Sequence, residues 1–483
     1  MRPARLMTSA ALALALSACA TAGPDYHAPE GGVANGEAAQ GGFHSATGPA
    51  FSQAPLPDKW WRLYDDPRLD GLVEQALAAN ADLRAAQANL ERAEAVLREA
   101  AAARTLSTAV SGGVDLTRQA QTGQSLPGVV TDNFGLGLSY PLDLRGRLRR
   151  AIEASAADAQ AVEAARDAVR VSVAAGTARA YAQVCAANYQ LAVTQRVVRL
   201  QRQTLDATRR LQRGGRGTAF DVSRANAQVE ASAAALPAFA AARQNALYLL
   251  ATLLGRAPAD YPRDVADCAV LPRLAGGMPV EDGAALIRRR ADIRQAERAI
   301  AADTARIGVA TADLYPDVSI GGSLGVSGPL EDFGKGESFG FSLGPLLSWT
   351  FPNRPAVRAR IDQANAQVRA DLAKFDGTVI EALRQAESAM ETYARDRERA
   401  AALGRASDAA GLSAQQAGKL FRFGRSDFLD LLSAQGSLAS AQVSYASAQA
   451  NLVDDQIAVF TALGGGWQQA SSSPSAAPTP VGN

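Results

Sequence analysis

The stretch Phe134-Gly-Leu-Gly-Leu-Ser-Tyr-Pro-Leu-Asp-Leu144 alternates large apolar residues with small or polar ones. A second stretch, Phe339-Gly-Phe-Ser-Leu-Gly-Pro-Leu-Leu-Ser-Trp-Thr-Phe351, largely repeats this pattern about two hundred residues later. Because successive side chains of a strand point to opposite faces, the alternation predicts strands with one apolar face. Weaker alternation at 106–116 and 318–326 precedes the two stretches. The sequence therefore predicts two β-hairpins, at about 106–144 and 317–351.

The length and the aromatic ends of these strands indicate that they cross a membrane. Each apolar run covers ~10–12 residues, which is the length that a tilted strand needs to span a bilayer. Tyr140, Trp349 and Phe351 close the second and fourth strands, and Tyr315 opens the third. In an up-and-down arrangement these ends share one side, as in the aromatic girdle of a membrane barrel. Half-buried strands on a soluble core are the alternative, but they do not require this aromatic clustering.

Four strands are too few to close a barrel. A sheet with open edges in lipid leaves backbone groups unpaired, at a cost of several kcal/mol each. Bacterial membrane barrels begin at about eight strands. We therefore expect copies of the chain to share one barrel, with eight strands from two copies or twelve from three. Outside the chain start, the sequence offers no run of ~18 apolar residues as a membrane helix.

The chain start predicts export. Two arginines precede an apolar run at Leu6–Leu16 that is too short to span a bilayer, as in a secretory signal peptide. The run ends in Leu16-Ser-Ala-Cys19, and this stretch resembles a bacterial lipoprotein signal, in which the Cys becomes the acylated N-terminus. The second residue of the mature chain is Ala20 and not Asp, and this pattern resembles that of lipoproteins sorted to the outer membrane. We expect residues 1–18 to be a signal peptide and Cys19 to carry a covalent lipid; an ordinary secretory signal is the alternative.

Composition disfavours several functional classes. The 483 residues carry a net charge of +1, so no charge-driven partner such as nucleic acid is indicated. There are only two His and three Cys, without metal-ligand spacing, and catalytic motifs such as a nucleophile elbow or a Walker loop do not occur. The sequence thus predicts neither an enzyme nor a metal site. Cys185 and Cys268 remain after Cys19, in a compartment where a disulfide can persist, but their spacing does not establish a bond.

The segments after each hairpin are helical in pattern. Residues 149–211 and 356–421 contain no Pro, and at 1.5 Å per residue each predicts a helix of roughly 95–100 Å. Helices of this length indicate coiled coils or helical repeats. Each ends in a turn rich in Gly and Arg, followed by a second helix at 219–254 or 427–463, the former with a predicted kink at Pro237.

The two halves of the chain repeat one another. From Ile152 onward matching residues are offset by 209, so that Gly215 corresponds to Gly424 and Asp221 to Asp430. We expect a first repeat at 67–270, with coiled-coil helices at 147–254, and a second at 271–466, with coiled-coil helices at 355–463. Residues 19–66 form the lipidated N-terminal segment in this scheme, and the Ser/Pro-rich residues 467–483 form a disordered tail.

Together these features resemble the outer membrane efflux proteins, the TolC-like outer membrane factors. The resemblance is strongest to their lipoprotein branch of OprM or NodT type, which belongs to resistance-nodulation-division (RND) efflux systems, and it covers nearly the whole mature chain. Its motifs are Leu16-Ser-Ala-Cys19, Gly23-PDYHAP-Glu30, the segment 58–83 that begins Asp58-Lys-Trp-Trp, the two hairpins and the paired Gly/Arg turns.

The resemblance implies an α+β fold and a homotrimer. Four strands from each chain would give a twelve-stranded barrel in the outer membrane, continued by a long periplasmic helical barrel. The implied function is a passive exit duct, coupled through a periplasmic adaptor to an inner-membrane RND pump. Outer membrane lipid is the remaining implied partner, and apart from the lipid on Cys19 no cofactor is implied.

The resemblance also suggests where function concentrates. In the family the helical turns, or tips, meet the adaptor, and acids just after the second tip close the periplasmic aperture. The implied contacts are Gly215, Arg216, Gly424, Arg425 and Ser426. Asp430 matches an aperture acid and Asp221 is its repeat equivalent, whereas the second acid of some members is Ser433 here. Plain helix caps and solvated helix-face carboxylates are the alternative readings.

Three further points stay open at the level of sequence. Cys185 and Cys268 should lie near the middle of the helical part, so we hypothesise a disulfide between them. Trp60 and Trp61 suggest either a ligand platform or, more simply, packing of the N-terminal segment. Alternative functions are the duct of a type I protein secretion system, which is often unlipidated, and a structural coiled-coil lipoprotein without a channel.

Overall fold

A computed structural model describes residues 21–118, 128–351 and 354–466. The predicted signal peptide at 1–18, Cys19 and the predicted tail at 467–483 lie outside these residues. Contacts divide the chain into two compact units. Of the described residues, the sheet unit comprises 21–30, 89–118, 128–163, 295–351 and 354–375, and the helical unit comprises 31–88, 164–294 and 376–466.

The helices and strands are numbered here in chain order, without the short 3-10 turns. They are α1 Glu37–Gln40, β1 Phe51–Ser52, α2 Pro67–Ala79, α3 Ala81–Ala102, β2 Ser107–Thr117, β3 Val129–Leu142, α4 Arg147–Arg213, α5 Ala219–Ala233, α6 Leu236–Leu253, β4 Met278–Pro279, α7 Gly283–Arg289, α8 Ala291–Ala312, β5 Asp317–Pro329, β6 Phe339–Ser348, α9 Arg354–Arg422 and α10 Phe428–Ala462. The order helix, helix, strand, strand, long helix recurs from α2 to α4 and from α7 to α9.

Four strands of the sheet unit form one antiparallel sheet in the order β2-β3-β5-β6. They lie where the alternating sequence predicts them, and pairing of β3 with β5 joins the two hairpins side by side. Within the described residues β2 and β6 are the edges of this sheet. The backbone groups along their outer sides therefore have no strand partner from the same chain.

The register sorts the side chains of the sheet onto an apolar face and a polar face. One row of directly paired residues is Val110, Leu136, Leu324 and Phe341. The adjacent row, on the opposite face, is Ala109, Gly137, Ser323 and Ser342. Val110 is 86% exposed and Phe341 is 80% exposed, so the apolar face is uncovered. Such a continuous exposed apolar face is expected of a surface that meets lipid or another protein.

Aromatic residues anchor the N-terminal segment within the helical unit. Trp60 and Trp61 are almost fully buried, and the Trp60 ring stacks on Phe460 with 4.8 Å between ring centroids. The indole Nε1 of Trp61 donates to Asp70 at 2.9 Å. Packing, rather than a ligand platform, is therefore the role of this tryptophan pair.

Upstream of the tryptophans, two carboxylates of α9 hold the N-terminal segment through its backbone. The amide of Val33 donates to Asp376 at 3.2 Å. The amides of His44 and Ser45 donate to the two oxygens of Glu387 at 2.8 and 2.9 Å. These bonds join carboxylates of α9 to backbone amides, so they need no particular side chain at Val33, His44 or Ser45.

The segment predicted as one kinked helix at 219–254 consists of two helices. Helix α5 ends at Ala233 and α6 begins at Leu236, with Pro237 in its first turn. Proline is tolerated there because the first turn does not need its missing N–H group, whereas a mid-helix proline costs about 3 kcal/mol. None of the helices in the described residues, α5 and α6 included, is both long enough and apolar enough to cross a bilayer.

Candidate functional site

The first tip joins α4 to α5 through a glycine turn. The amide of Arg216 donates to Leu211 O at 2.9 Å, and that of Gly215 donates to Gln212 O at 3.0 Å. This pair of bonds closes the helix end in a Schellman motif, for which Gly215 has the required left-handed backbone, with φ of +70°. A Cβ atom at Gly215 would meet nothing within 4 Å, so the constraint on this position is conformational.

Asp221 belongs to a capping box at the start of α5. Its carboxylate accepts from the Thr218 amide at 2.9 Å and from the Thr218 hydroxyl at 2.7 Å, while the hydroxyl accepts from the Asp221 amide. These hydrogen bonds from Thr218 lower the pKa of the Asp221 carboxyl. Asp221 is therefore committed to holding the first turn of α5.

The second tip repeats the glycine turn at the end of α9. The amide of Arg425 donates to Leu420 O at 2.9 Å, and that of Gly424 donates to Phe421 O at 3.0 Å. Gly424 again has a φ of +70°. The offset of 209 that relates the two halves in sequence thus relates two turns with the same hydrogen bonds.

The two tips differ at the residue that caps the following helix. Asp427 stands where the first tip has Thr218, and its carboxylate accepts from the Asp430 amide at 2.9 Å. A carboxylate at this position has no proton to donate to Asp430. Among the described residues the Asp430 side chain accepts no hydrogen bond, and Asp430 is exposed. Sequence reasoning missed Asp427, although the repeat offset was sufficient to identify it.

The two tips of one chain meet around a shallow cavity of about 370 Å³. Its lining includes Arg216 and Asp221 from the first tip and Phe421, Asp427 and Phe428 from the second. The Phe421 and Phe428 ring centroids are 6.0 Å apart. The cavity therefore brings the predicted Arg216 and Asp221 beside residues of the second tip, whereas Gly424, Arg425, Ser426 and Asp430 are not part of its lining.

Apolar side chains project around this cavity. Phe423 is 79% exposed and Phe220 is 66% exposed. Ser426 is half-buried, and its Oγ has no hydrogen-bond partner among the described residues. Exposed aromatic rings are a feature of a surface that binds another protein.

Cys185 of α4 and Cys268, which follows α6, form a disulfide in the helical unit. Asn188 supports the same segment, because its Nδ2 donates to the carbonyls of Ala266 and Cys268 at 2.7 Å each. The connection between the two halves is thereby fixed to α4 by one covalent and two hydrogen bonds.

No group of ligands suited to a metal ion occurs in residues 21–118, 128–351 and 354–466. The site is instead a pair of helix turns with exposed rings, arginines and one uncommitted carboxylate. Its chemistry is recognition and electrostatics.

Comparison with known proteins identifies one family. The family model described as "Outer membrane efflux protein" matches residues 72–256 and 284–465. The chain is 31% identical over 471 residues to the pyoverdine export outer membrane protein OpmQ of Pseudomonas putida, covering 95% of this chain and 96% of that protein. It is 29% identical over 436 residues to nodulation protein T of Rhizobium leguminosarum bv. trifolii, covering 89% and 91% of the two chains.

Solved structures agree with these sequence matches. The outer-membrane channel OprN superposes with a TM-score of 0.86 at 35% identity, covering 92% of this chain and 99% of that chain. The open state of the Neisseria gonorrhoeae MtrE outer membrane channel superposes with a TM-score of 0.79 at 27% identity, covering 93% and 99%.

Proposed function

Because the chain belongs to the outer membrane efflux protein family and is located in the outer membrane, we propose that it is the exit duct of a tripartite efflux system. Its family and structural neighbours are channel proteins and not enzymes. In this proposal the duct is passive, and an inner-membrane RND pump drives export through a periplasmic adaptor. The relative named for pyoverdine export suggests a small organic solute as cargo.

The observation that carries the proposal is the sheet with one exposed apolar face and two unpaired edges. Backbone groups of β2 and β6 need partners if the sheet lies in lipid. A neighbouring copy supplies them when its β2 pairs with β6. Three copies give twelve strands, with the apolar rows facing lipid and the Gly/Ser rows facing the lumen.

The tips are the proposed docking and gating end of the duct. The exposed Phe220 and Phe423 suit an apolar surface on the adaptor, and the exposed Arg216 and Arg425 suit polar contacts beside it, with Ser426 in the same turn. Asp430 is the proposed aperture acid. Three uncommitted carboxylates close to one axis would repel one another and favour cations at the closed end.

A lipid on Cys19 completes the proposal. Thr21, the second residue after Cys19, is the first described residue, and the Ala22 amide donates to Arg145 O at 2.9 Å. The acyl chains would thus enter the bilayer close to the point where β3 gives way to α4.

The contrast between the two tip acids provides the test. Purified trimer in planar bilayers should conduct weakly, and Asp430→Asn should raise the conductance severalfold because the cations that three carboxylates would hold across the closed aperture are lost. Asp221→Asn is the matched control, since its carboxylate serves a capping box and its loss should leave conductance unchanged. Absence of conductance from both variants, with folded trimer present, would refute the duct.

A further inference from the structure

Arginines concentrate where the sheet passes into helices. The segment Arg145-Gly-Arg-Leu-Arg-Arg150 places four arginines in six residues directly after β3. Two of them have partners within the chain: the Arg145 guanidinium lies 4.2 Å from the centre of the Tyr315 ring, and Arg147 pairs with Asp313 at 3.2 Å. The remaining two contact or adjoin the N-terminal segment.

Arg150 is a buried clamp for the N-terminal segment. Its side chain is only 4% exposed and pairs with Asp25 at 2.6 Å and Glu153 at 2.8 Å. Its Nε also donates to Ala22 O at 3.1 Å. Hydrogen bonding to Arg150, followed by its charge, lowers the pKa of the Asp25 carboxyl. The backbone just after Cys19 is therefore held in one place on the sheet unit.

Arg149 lies beside this clamp and has no such partner. A Cβ atom on Gly146 would meet both Thr21 Cγ2, at 2.2 Å, and Arg149 Nη2, at 3.4 Å, so the guanidinium and Thr21 lie near one another on either side of Gly146. Arg149 is exposed and forms no ion pair among the described residues. An acylated Cys19, two residues before Thr21, would place this guanidinium at the level of the lipid headgroups.

Two of the other three helix–strand junctions of the sheet unit also carry arginines, whereas the junction between α8 and β5 carries Asp313 and Asp317. Arg104 lies between α3 and β2, and Arg354 and Arg358 lie in the first turns of α9, directly after β6. All three are exposed and have no ion-pair partner within the described chain. We call Arg104, Arg149, Arg354 and Arg358 the junction arginines. The exposed aromatic residues Tyr140, Tyr315, Trp349 and Phe351 lie at the same end of the strands.

The opposite end of the sheet has the opposite charge. Residues 115–118, 128–132 and 328–338 contain five acids against two bases. Aromatic residues collect at membrane interfaces, and basic residues beside them suit an interface with anionic headgroups.

We infer that the junction arginines bind the headgroups of anionic glycerophospholipids, such as phosphatidylglycerol, in the periplasmic leaflet of the outer membrane. The inference rests on the proposed function, because it requires that the strands span the membrane. A guanidinium can donate two parallel hydrogen bonds to one phosphate group. The acyl anchor on Cys19 would hold Arg149 at the depth of the headgroups, so the chain loses no further conformational freedom when a lipid binds. Each basic residue at an anionic lipid surface contributes about fivefold in affinity.

The test counts lipids on the acylated, full-length protein. Detergent-solubilised trimer is titrated with phosphatidylglycerol or phosphatidylcholine, and bound lipids are resolved by native mass spectrometry. Wild type should prefer phosphatidylglycerol at least fivefold. The preference should fall about fivefold in Arg149→Gln and disappear when all four junction arginines are changed to Gln. Arg210→Gln is the matched control, because Arg210 is exposed and unpaired on the same helix, and it should retain the preference.

Three outcomes contradict the inference. These are equal binding of the two lipids by wild type, full preference in the fourfold variant, and displacement of phosphatidylglycerol by millimolar inorganic phosphate, which would indicate a simple anion site. Conductance of the same samples separates this inference from the duct. A conducting trimer without lipid preference overturns the lipid site alone, and a non-conducting protein that keeps the preference overturns the duct alone.

Discussion

At the residue scale, the carboxyl groups of Asp396 on α9 and Asp455 on α10 make the stability of the helical unit depend on pH. Burial, together with the nearby Asp396 and Asp454, raises the pKa of the Asp455 carboxyl from 3.8 to about 6. Asp454 instead accepts from Arg179 at 2.6 Å, and Arg399 lies 3.8 Å from Asp396. Because the folded state holds the Asp455 proton more tightly than the unfolded state, this group lowers stability as pH rises from about 4 to 6.

Asp455→Asn should therefore stabilise the protein at pH 7.5 and have little effect near pH 4. The gain should be about 1 kcal/mol, less than the shift in pKa alone suggests, because the carboxyl is partly exposed. Thermal unfolding from pH 4 to 8 measures it. Asp454→Asn is the control beside it and should bring no gain, since it removes an ion pair. A constant difference between Asp455→Asn and wild type at all pH values would contradict this account.

Single residues were predictable where one local rule decides them. Gly215 and Gly424 follow from the need for a left-handed residue after a long helix. The partner of Arg150 was not predictable, because Asp25 lies 125 residues away and no periodicity connects the two. The Asp430 carboxylate accepts no hydrogen bond among the described residues because the capping residue is Asp427 and not Thr. The role of Asp427 is evident only when the two tips are compared.

At the scale of elements, the sheet predicts a sharp difference between its faces. Leu343 is 78% exposed on the apolar face, whereas Ser342 lies on the other face with its hydroxyl 2.8 Å from that of Ser323. A lysine on the lipid side of a membrane strand costs about 2–4 kcal/mol at the bilayer midplane. Leu343→Lys should reduce the amount of protein in the outer membrane fraction severalfold.

Ser342→Lys should insert nearly as well as wild type, because lumen-facing positions tolerate charge. Immunoblotting of fractionated membranes, with circular dichroism of the extracted protein, gives the comparison. Equal insertion of the two variants would show that the apolar face does not meet lipid.

Strands and long helices were predictable because their periods extend over many residues. The interruption between α5 and α6 was harder, since Pro237 is compatible both with a kink and with a new first turn. Pairing of β3 with β5 was also beyond the sequence pattern, because alternation determines which face a residue occupies and not which strand lies beside it.

At the scale of the whole molecule, the disulfide closes a long segment of chain. Cys185 and Cys268 are 83 residues apart, so the bond should stabilise the fold by about 4 kcal/mol through restriction of the unfolded chain. The denatured, unreduced protein should show neither thiol, and reductant should lower the unfolding temperature. The variant with Ser at both positions should unfold at the lower temperature with or without reductant. Two titratable thiols per chain would disprove the bond.

The pairing of these cysteines was only a hypothesis at the level of sequence, because contact between α4 and the connecting segment depends on tertiary packing. The repeat, by contrast, was predicted from matching residues in the two halves of the sequence. Neither the sequence nor the structure of one chain determines the number of copies in the assembly. A single chain shows that its sheet has two free edges, but not how many further copies close the barrel.

Those free edges bear on how cells make the protein. On the trimer proposed above, a newly exported chain has no stable place in the bilayer until it meets its copies. Until then, β2 and β6 are templates for mispairing and targets for periplasmic proteases. The yield of assembled trimer would then rise more steeply than in proportion to the concentration of newly exported chains. Slow production would favour degradation over assembly.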